Sequence, residues 1–182
     1  MLFPSLDLWV NVLLYVALGL LCLFVLTLLL TLIFLLIFSR KIKNTSIVIN
    51  LLLSQRYELM LDFLKFASNA KIKIPQEEID SIANLERIID FQSLSKQDRD
   101  QRVLSFVHAA HNIISLCDRS PKLLKDEHYN EKLVEFNDIE ETYRQKSALY
   151  NADVIGYNYW INIPFVKILF RIFGKRNKDL IV

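Results

Sequence analysis

Residues 8–39 read LWVNVLLYVALGLLCLFVLTLLLTLIFLLIFS, thirty-two positions without one Asp, Glu, Lys, Arg or His. A bilayer core of roughly 30 Å needs about 20 such residues in helical form, so this run spans with length to spare. Asp7 precedes it, and Arg40, Lys41 and Lys43 follow it directly. Basic residues stay on the cytoplasmic side, so residues 1–7 are expected outside and everything after Arg40 inside. A cleaved leader would carry basic residues first, a shorter apolar core and an A-x-A-like site. The run has none of these and reads as a retained anchor.

Outside the span, about 140 residues remain, enough for one domain with its own core. The net charge is +2, too small to argue for nucleic acid. Cys22 lies in the span and Cys117 far beyond it, so no disulfide is expected and a reducing compartment suits both.

Four helices follow from the apolar spacing. Ile49, Leu53, Met60, Phe63, Ala67 and Ala70 form one stripe with Arg56 inside it, and no Gly or Pro separates this helix from the span. Pro75 followed by Gln76, Glu77 and Glu78 opens a second helix with acids at its positive end. Its apolar face is Ile79, Ile82, Leu85 (or Ala83), Ile88 and Ile89, ending near Gln92. Ser95 with Asp98 three residues on marks the start of a third helix, striped by Val103, Phe106, Val107, Ala110, Ile113, Ile114 and Cys117. The fourth carries Tyr129, Leu133, Phe136, Glu140, Tyr143, Ser147, Tyr150, Val154, Tyr157 and Ile161. They step by four and three, a heptad seam that continues to Pro164. No stretch alternates with period two for long enough to make a sheet.

These features predict an all-α chain: a transmembrane helix at 8–39, an antiparallel four-helix bundle at 40–164, and an amphipathic, basic segment at 165–182. The first bundle helix rises roughly 45 Å, and the fourth, about 36 residues, returns roughly 55 Å toward the membrane.

At the fourth helix the sequence resembles the LemA family. The resemblance is carried by Ser120-Pro121-Lys122-Leu123-Leu124-Lys125, by Glu140, and by Tyr150-Asn151-x-x-Val154-x-x-Tyr157-Asn158. Pro164-Phe165 and Phe173-Gly174 complete it, and Gln55-Arg56-Tyr57-Glu58-Leu59 is similar to the family's basic stretch in the first bundle helix. The chain departs from the family pattern at Met60–Phe63 and at Ser147–Leu149. The resemblance implies a bacterial single-pass membrane protein with a helical bundle. It implies no enzyme.

Two groups stand out as candidate sites. Tyr150, Asn151, Tyr157 and Asn158 form two pairs a heptad apart on one face. In one reading the tyrosines fill the seam while the asparagines satisfy nearby carbonyls; in the other they form a recognition strip for a partner helix or lipid head-group. Arg56 and Glu140 are charges inside apolar stripes. Either they pair across the first and fourth helices and fix register, or each lies at a stripe edge and reaches water.

Catalytic, cofactor and metal residues are not evident. His108, His111 and His128 lack the Glu-x-x-His partners of di-metal bundles, and no P-loop, H-E-x-x-H or G-x-S-x-G motif is present. The membrane-surface candidates are Arg40, Lys41 and Lys43, and, near the C-terminal end, Phe165, Lys167, Phe170, Arg171, Phe173, Lys175 and Arg176. The later group is expected to lie in the inner leaflet against anionic lipids, or else to cap the bundle core. The expected role is a membrane-anchored scaffold that presents a cytosolic bundle to protein partners or to further copies of itself. The competing reading is an accessory subunit or enzyme with an inter-helix pocket.

Overall fold

The computed structural model describes residues 4–86, 95–164, 166–167 and 176–181. It contains four helices: α1 (Pro4–Asn69), α2 (Gln76–Glu86), α3 (Lys96–Asp118) and α4 (Glu127–Ile161). No strand occurs among the described residues, so the chain is all-α, as its periodicity predicts. It divides into two compact units, Met1–Arg40 with Ile155–Lys178, and Lys41–Val154 with Asp179–Val182.

In the first unit, α1 displays its apolar residues outward. Leu8 through Ile37 includes more than twenty large hydrophobic side chains that are exposed. The most apolar 18-residue window has mean hydropathy 3.2 and is only 11% buried, the reverse of a helix in a soluble core. Thr27 and Thr31 donate their hydroxyls to the carbonyls of Phe24 and Thr27, so these polar groups are satisfied inside the helix itself. The end of α4 packs antiparallel to this helix: Phe34 stacks on Trp160 with ring centroids 5.4 Å apart, while Phe38 meets Gly156.

The second unit holds a core from all four helices. As α1 advances from Arg56 to Phe66, its partners on α4 retreat. Arg56 meets Glu140, Phe63 meets Phe136 and Tyr129, and Phe66 meets Tyr129 and His128. The two helices are therefore antiparallel. Asn112 of α3 donates to Glu78 of α2 at 2.7 Å, while Ser81 and Asn84 share a cleft with Asp98, Gln101, Arg102 and Ser105, so α2 and α3 are antiparallel too. Met60, Phe63, Ala67, Ile82, Phe106, Ala109, Ile113 and Cys117 lie at the centre. The predicted α4 seam holds in full, since every position from Tyr129 to Ile161 is buried or half-buried.

Local chemistry sets the helix ends. Beyond Asn69, Lys71 takes a left-handed φ of 58°. Its N–H donates to Ser68 O, and Ile72 N–H donates to Ala67 O at 2.8 Å, the paired closure that satisfies the last carbonyls of a helix. Ser95 Oγ accepts from Asp98 N–H and donates to Asp98 Oδ2, confirming the cap read from the sequence. Asp126 Oδ1 accepts from the N–H groups of His128 and Tyr129, so α4 opens at Glu127, and it ends at Ile161, three residues before Pro164.

One detail differs from expectation: Pro75 lies just outside α2, where its carbonyl accepts from Glu78 and Ile79. Of the two residues offered for the α2 face, Leu85 is buried and Ala83 exposed. The expected end of the second helix near Gln92, with Ile88 and Ile89, lies outside the described residues.

Candidate functional site

Arg56 is the largest fully buried side chain among the described residues, at 0% exposure. It occupies the position of an apolar residue in the α1 stripe, so helical periodicity alone carries it inward. Its Nη2 lies 2.6 Å from Glu140 Oε2. The contact is an ion pair by distance without hydrogen-bond alignment, and Nε and Nη1 make no hydrogen bond among the described residues. Aromatic faces surround the guanidinium instead: Tyr143 with its centroid at 4.5 Å and Phe106 at 5.3 Å. A cation over two ring faces gains electrostatic attraction in place of lost water. Burial lowers the Arg56 pKa, and the charge of Glu140 opposes that shift. The pairing read from the sequence is present, and it joins α1 to α4 with α3 supplying one ring. Chemically this is a register device: a guanidinium lacks any acid–base role near neutral pH.

The Tyr–Asn repeat divides by residue type. Tyr157 is buried and Tyr150 half-buried, both on the seam. Burial pushes both hydroxyls toward higher pKa. The asparagines do not satisfy nearby carbonyls. In the second unit, Asn151 Nδ2 donates to Ile181 O at 2.8 Å while Ile181 N–H donates to Asn151 Oδ1 at 2.9 Å. In the first unit, Asn158 makes the same ring with Lys178, at 2.8 and 2.9 Å. Each amide thus engages both backbone groups of one residue, the pairing a neighbouring β-strand would give.

The membrane-surface assignment falls only partly on the described residues. Residues 176–181 are non-helical and are engaged through their backbone by α4, because a side-chain amide offers the donor and acceptor that an extended residue needs. Arg176 is exposed, as are Arg40, Lys41, Lys43 and Lys167. Phe165, Phe170, Arg171, Phe173 and Lys175 lie outside the described residues.

Three contacts were not anticipated from sequence. Tyr129, fully buried, donates its hydroxyl to Asp118 at 2.6 Å. Lys178 Nζ sits 5.1 Å from the Tyr157 ring centroid. Asn162 reaches Asn177 Oδ1 at 3.2 Å. The Lys178 and Asn177 contacts join positions fifteen or more residues apart, beyond the reach of any local pattern. The histidines have local polar neighbours: His108 Nδ1 lies 3.0 Å from Asn112, and His128 lies 3.6 Å from Glu131. Among the described residues a cleft of about 270 Å³ opens between α2 and α3, and a second of about 630 Å³ is lined by α3 alone. Neither is lined by Arg56, Glu140 or Tyr143.

No family model, curated protein or solved structure matches this chain.

Proposed function

We propose that the chain is a LemA-like, single-pass membrane protein whose helical bundle serves as a cytosolic docking scaffold and not as an enzyme. The observation that carries this reading is the exposed apolar face of α1. It runs from Leu8 through Ile37 and resumes in the second unit at Ile47, Val48 and Leu51, which are 59%, 36% and 58% exposed. The first stretch suits lipid; the second, flanked by polar residues, suits a protein partner. In the first unit Trp160 stacks on Phe34 and meets Tyr159 edge to face, the composition of an interfacial aromatic belt. Arg40, Lys41 and Lys43 supply the basic flank for an N-out orientation and for attraction to anionic lipids.

A reporter fused after Val182 tests the topology. It is expected to work only on the cytosolic side, and the chain is expected to resist alkaline carbonate extraction. Activity on the outer side would reverse the orientation. A photo-crosslinking residue at Ile47 or Leu51, introduced in native membranes, tests the docking role. Adducts are expected at these positions and not at polar Gln55; equal yields at all three would remove the scaffold reading.

A further inference from the structure

Asp98 and Arg102 stand one helical turn apart on α3, with the acid on the N-terminal side. That order and spacing favour an ion pair across the turn. None forms here. Asp98 Oδ2 accepts from the Ser95 hydroxyl at 2.7 Å as part of the helix cap, and its Oδ1 has no hydrogen-bond partner among the described residues. Arg102 is half-buried, and no hydrogen bond or ion pair engages it among the described residues. A guanidinium has five N–H donors in a planar fork and no acceptor, so its whole donor set is available.

Both side chains line the cleft of about 270 Å³ between α2 and α3. Its remaining walls are Ser81, Asn84, Gln101 and Ser105. Ile82, Leu85, Val103 and Phe106 of the same two helices are buried, so their apolar faces serve the core and leave the cleft to polar groups. Such walls offer two hydroxyls, two primary amides and two opposite charges. An apolar ligand would gain little burial against them. A simple anion would meet the like charge of Asp98, and a simple cation that of Arg102. A molecule carrying a carboxylate and an ammonium on neighbouring atoms answers both.

We infer that the α2–α3 cleft is a binding site for a free α-amino acid with a polar side chain. The carboxylate accepts from the Arg102 fork, a bidentate and charge-assisted pairing. The ammonium donates to Asp98 Oδ1, and the ligand's side chain bonds to the amides of Asn84 and Gln101 or to the serine hydroxyls. The volume falls just below the roughly 300–1,000 Å³ of drug-sized pockets, which suits a single amino acid and not a nucleotide. All six lining residues belong to the second unit, so the site does not rest on the anchoring or docking roles proposed above.

The test is calorimetric titration of the full-length chain in detergent micelles with L-glutamine, L-asparagine and L-serine. Saturable binding is expected, tightest for L-glutamine, whose side-chain amide matches those of Asn84 and Gln101. Two analogues separate the charges: L-glutamine α-amide lacks the carboxylate, and 4-carbamoylbutanoate lacks the ammonium. Each is expected to bind about tenfold more weakly or worse, one charge-assisted interaction being lost. L-leucine, similar in size and without a polar side chain, should also bind more weakly. These titrations use the wild-type chain, so none depends on a variant folding. Among variants, Arg102→Gln should bind L-glutamine and its α-amide alike, and Asp98→Asn should bind L-glutamine and 4-carbamoylbutanoate alike. Glu77→Gln, which alters an exposed acid outside the cleft, should match the wild type. No saturable binding of any of the three amino acids would overturn the site. Binding of 4-carbamoylbutanoate as tight as that of L-glutamine would reduce it to a plain anion site and overturn the amino-acid assignment.

Discussion

Arg56 and Glu140 meet at 2.6 Å with unequal access to water: the arginine is fully buried, the glutamate side chain 32% exposed. Removing either partner therefore has different consequences. Glu140→Ala strands a buried cation, for which a loss of about 3–5 kcal/mol is expected. Arg56→Met leaves a carboxylate that can turn to solvent beside a well-filled core, so about 1–2 kcal/mol is expected. Denaturant melts of both variants and of the double mutant would check this. The double mutant should be more stable than Glu140→Ala alone; equal losses for the two single variants would contradict the asymmetry.

The Tyr129–Asp118 bond ties the start of α4 to the end of α3, across the Ser120–Asp126 turn. Tyr129→Phe keeps the ring packing against Phe63 and Phe66 and removes only the hydroxyl. Because Asp118 is exposed and regains water, the expected loss is about 1 kcal/mol. Local unfolding of the turn, read by amide exchange of Leu123 and Asp126, should accelerate in step with it.

Alkaline pH should weaken the bundle well before arginine titrates. Burial, helped by the charge of Asp118, raises the Cys117 thiol from 9.0 to about 11. Burial and the Asp118 hydrogen bond also raise the Tyr129 hydroxyl. Both groups hold their protons more tightly folded than unfolded. Their contribution is therefore complete below pH 9 and is lost as pH rises toward 11 and beyond. Denaturation midpoints at pH 7, 9 and 11 should fall over the upper interval, and Cys117→Ala should fall less than wild type.

A methyl group at Gly156 would come 2.9 Å from Cε1 and 3.0 Å from Cζ of Phe38. Helices that pack in an apolar setting approach closely where one side is small. Gly156→Ala is expected to cost about 1–3 kcal/mol by overpacking. Phe38→Leu should relieve most of that loss in the double variant. Thermal melts in detergent provide the measurement, and additive losses would show that the two residues do not share this contact.

Helix content, direction and burial were largely legible because each rests on period. The α4 seam from Tyr129 to Ile161 and the Arg56 stripe depend on steps of three and four residues, and the packing follows them. Ser95 with Asp98 was legible for the same reason, since a cap is local. The partners of Asn151 and Asn158 were not, because an amide's choice between near and distant backbone depends on tertiary placement. The clue was the heptad repeat of an amide type rather than of an apolar one. Reading residues 176–181 by composition emphasised their cations, whereas the backbone groups of Lys178 and Ile181 also make contacts that no composition reveals.

Cys117 is fully buried and Cys22 is exposed on the apolar face of α1, so the chain carries two thiols in two different solvents. If α1 spans a bilayer as proposed, a water-soluble maleimide is expected to meet neither in the folded protein, Cys117 being sealed by side chains and Cys22 by lipid. A lipid-soluble reagent is then expected to mark Cys22 at once. Cys117 then reacts only in molecules whose bundle has opened, and its labelling rate becomes a clock for that opening. With Cys22→Ser as background, the chain reports its own unfolding equilibrium in an intact membrane, without an added probe.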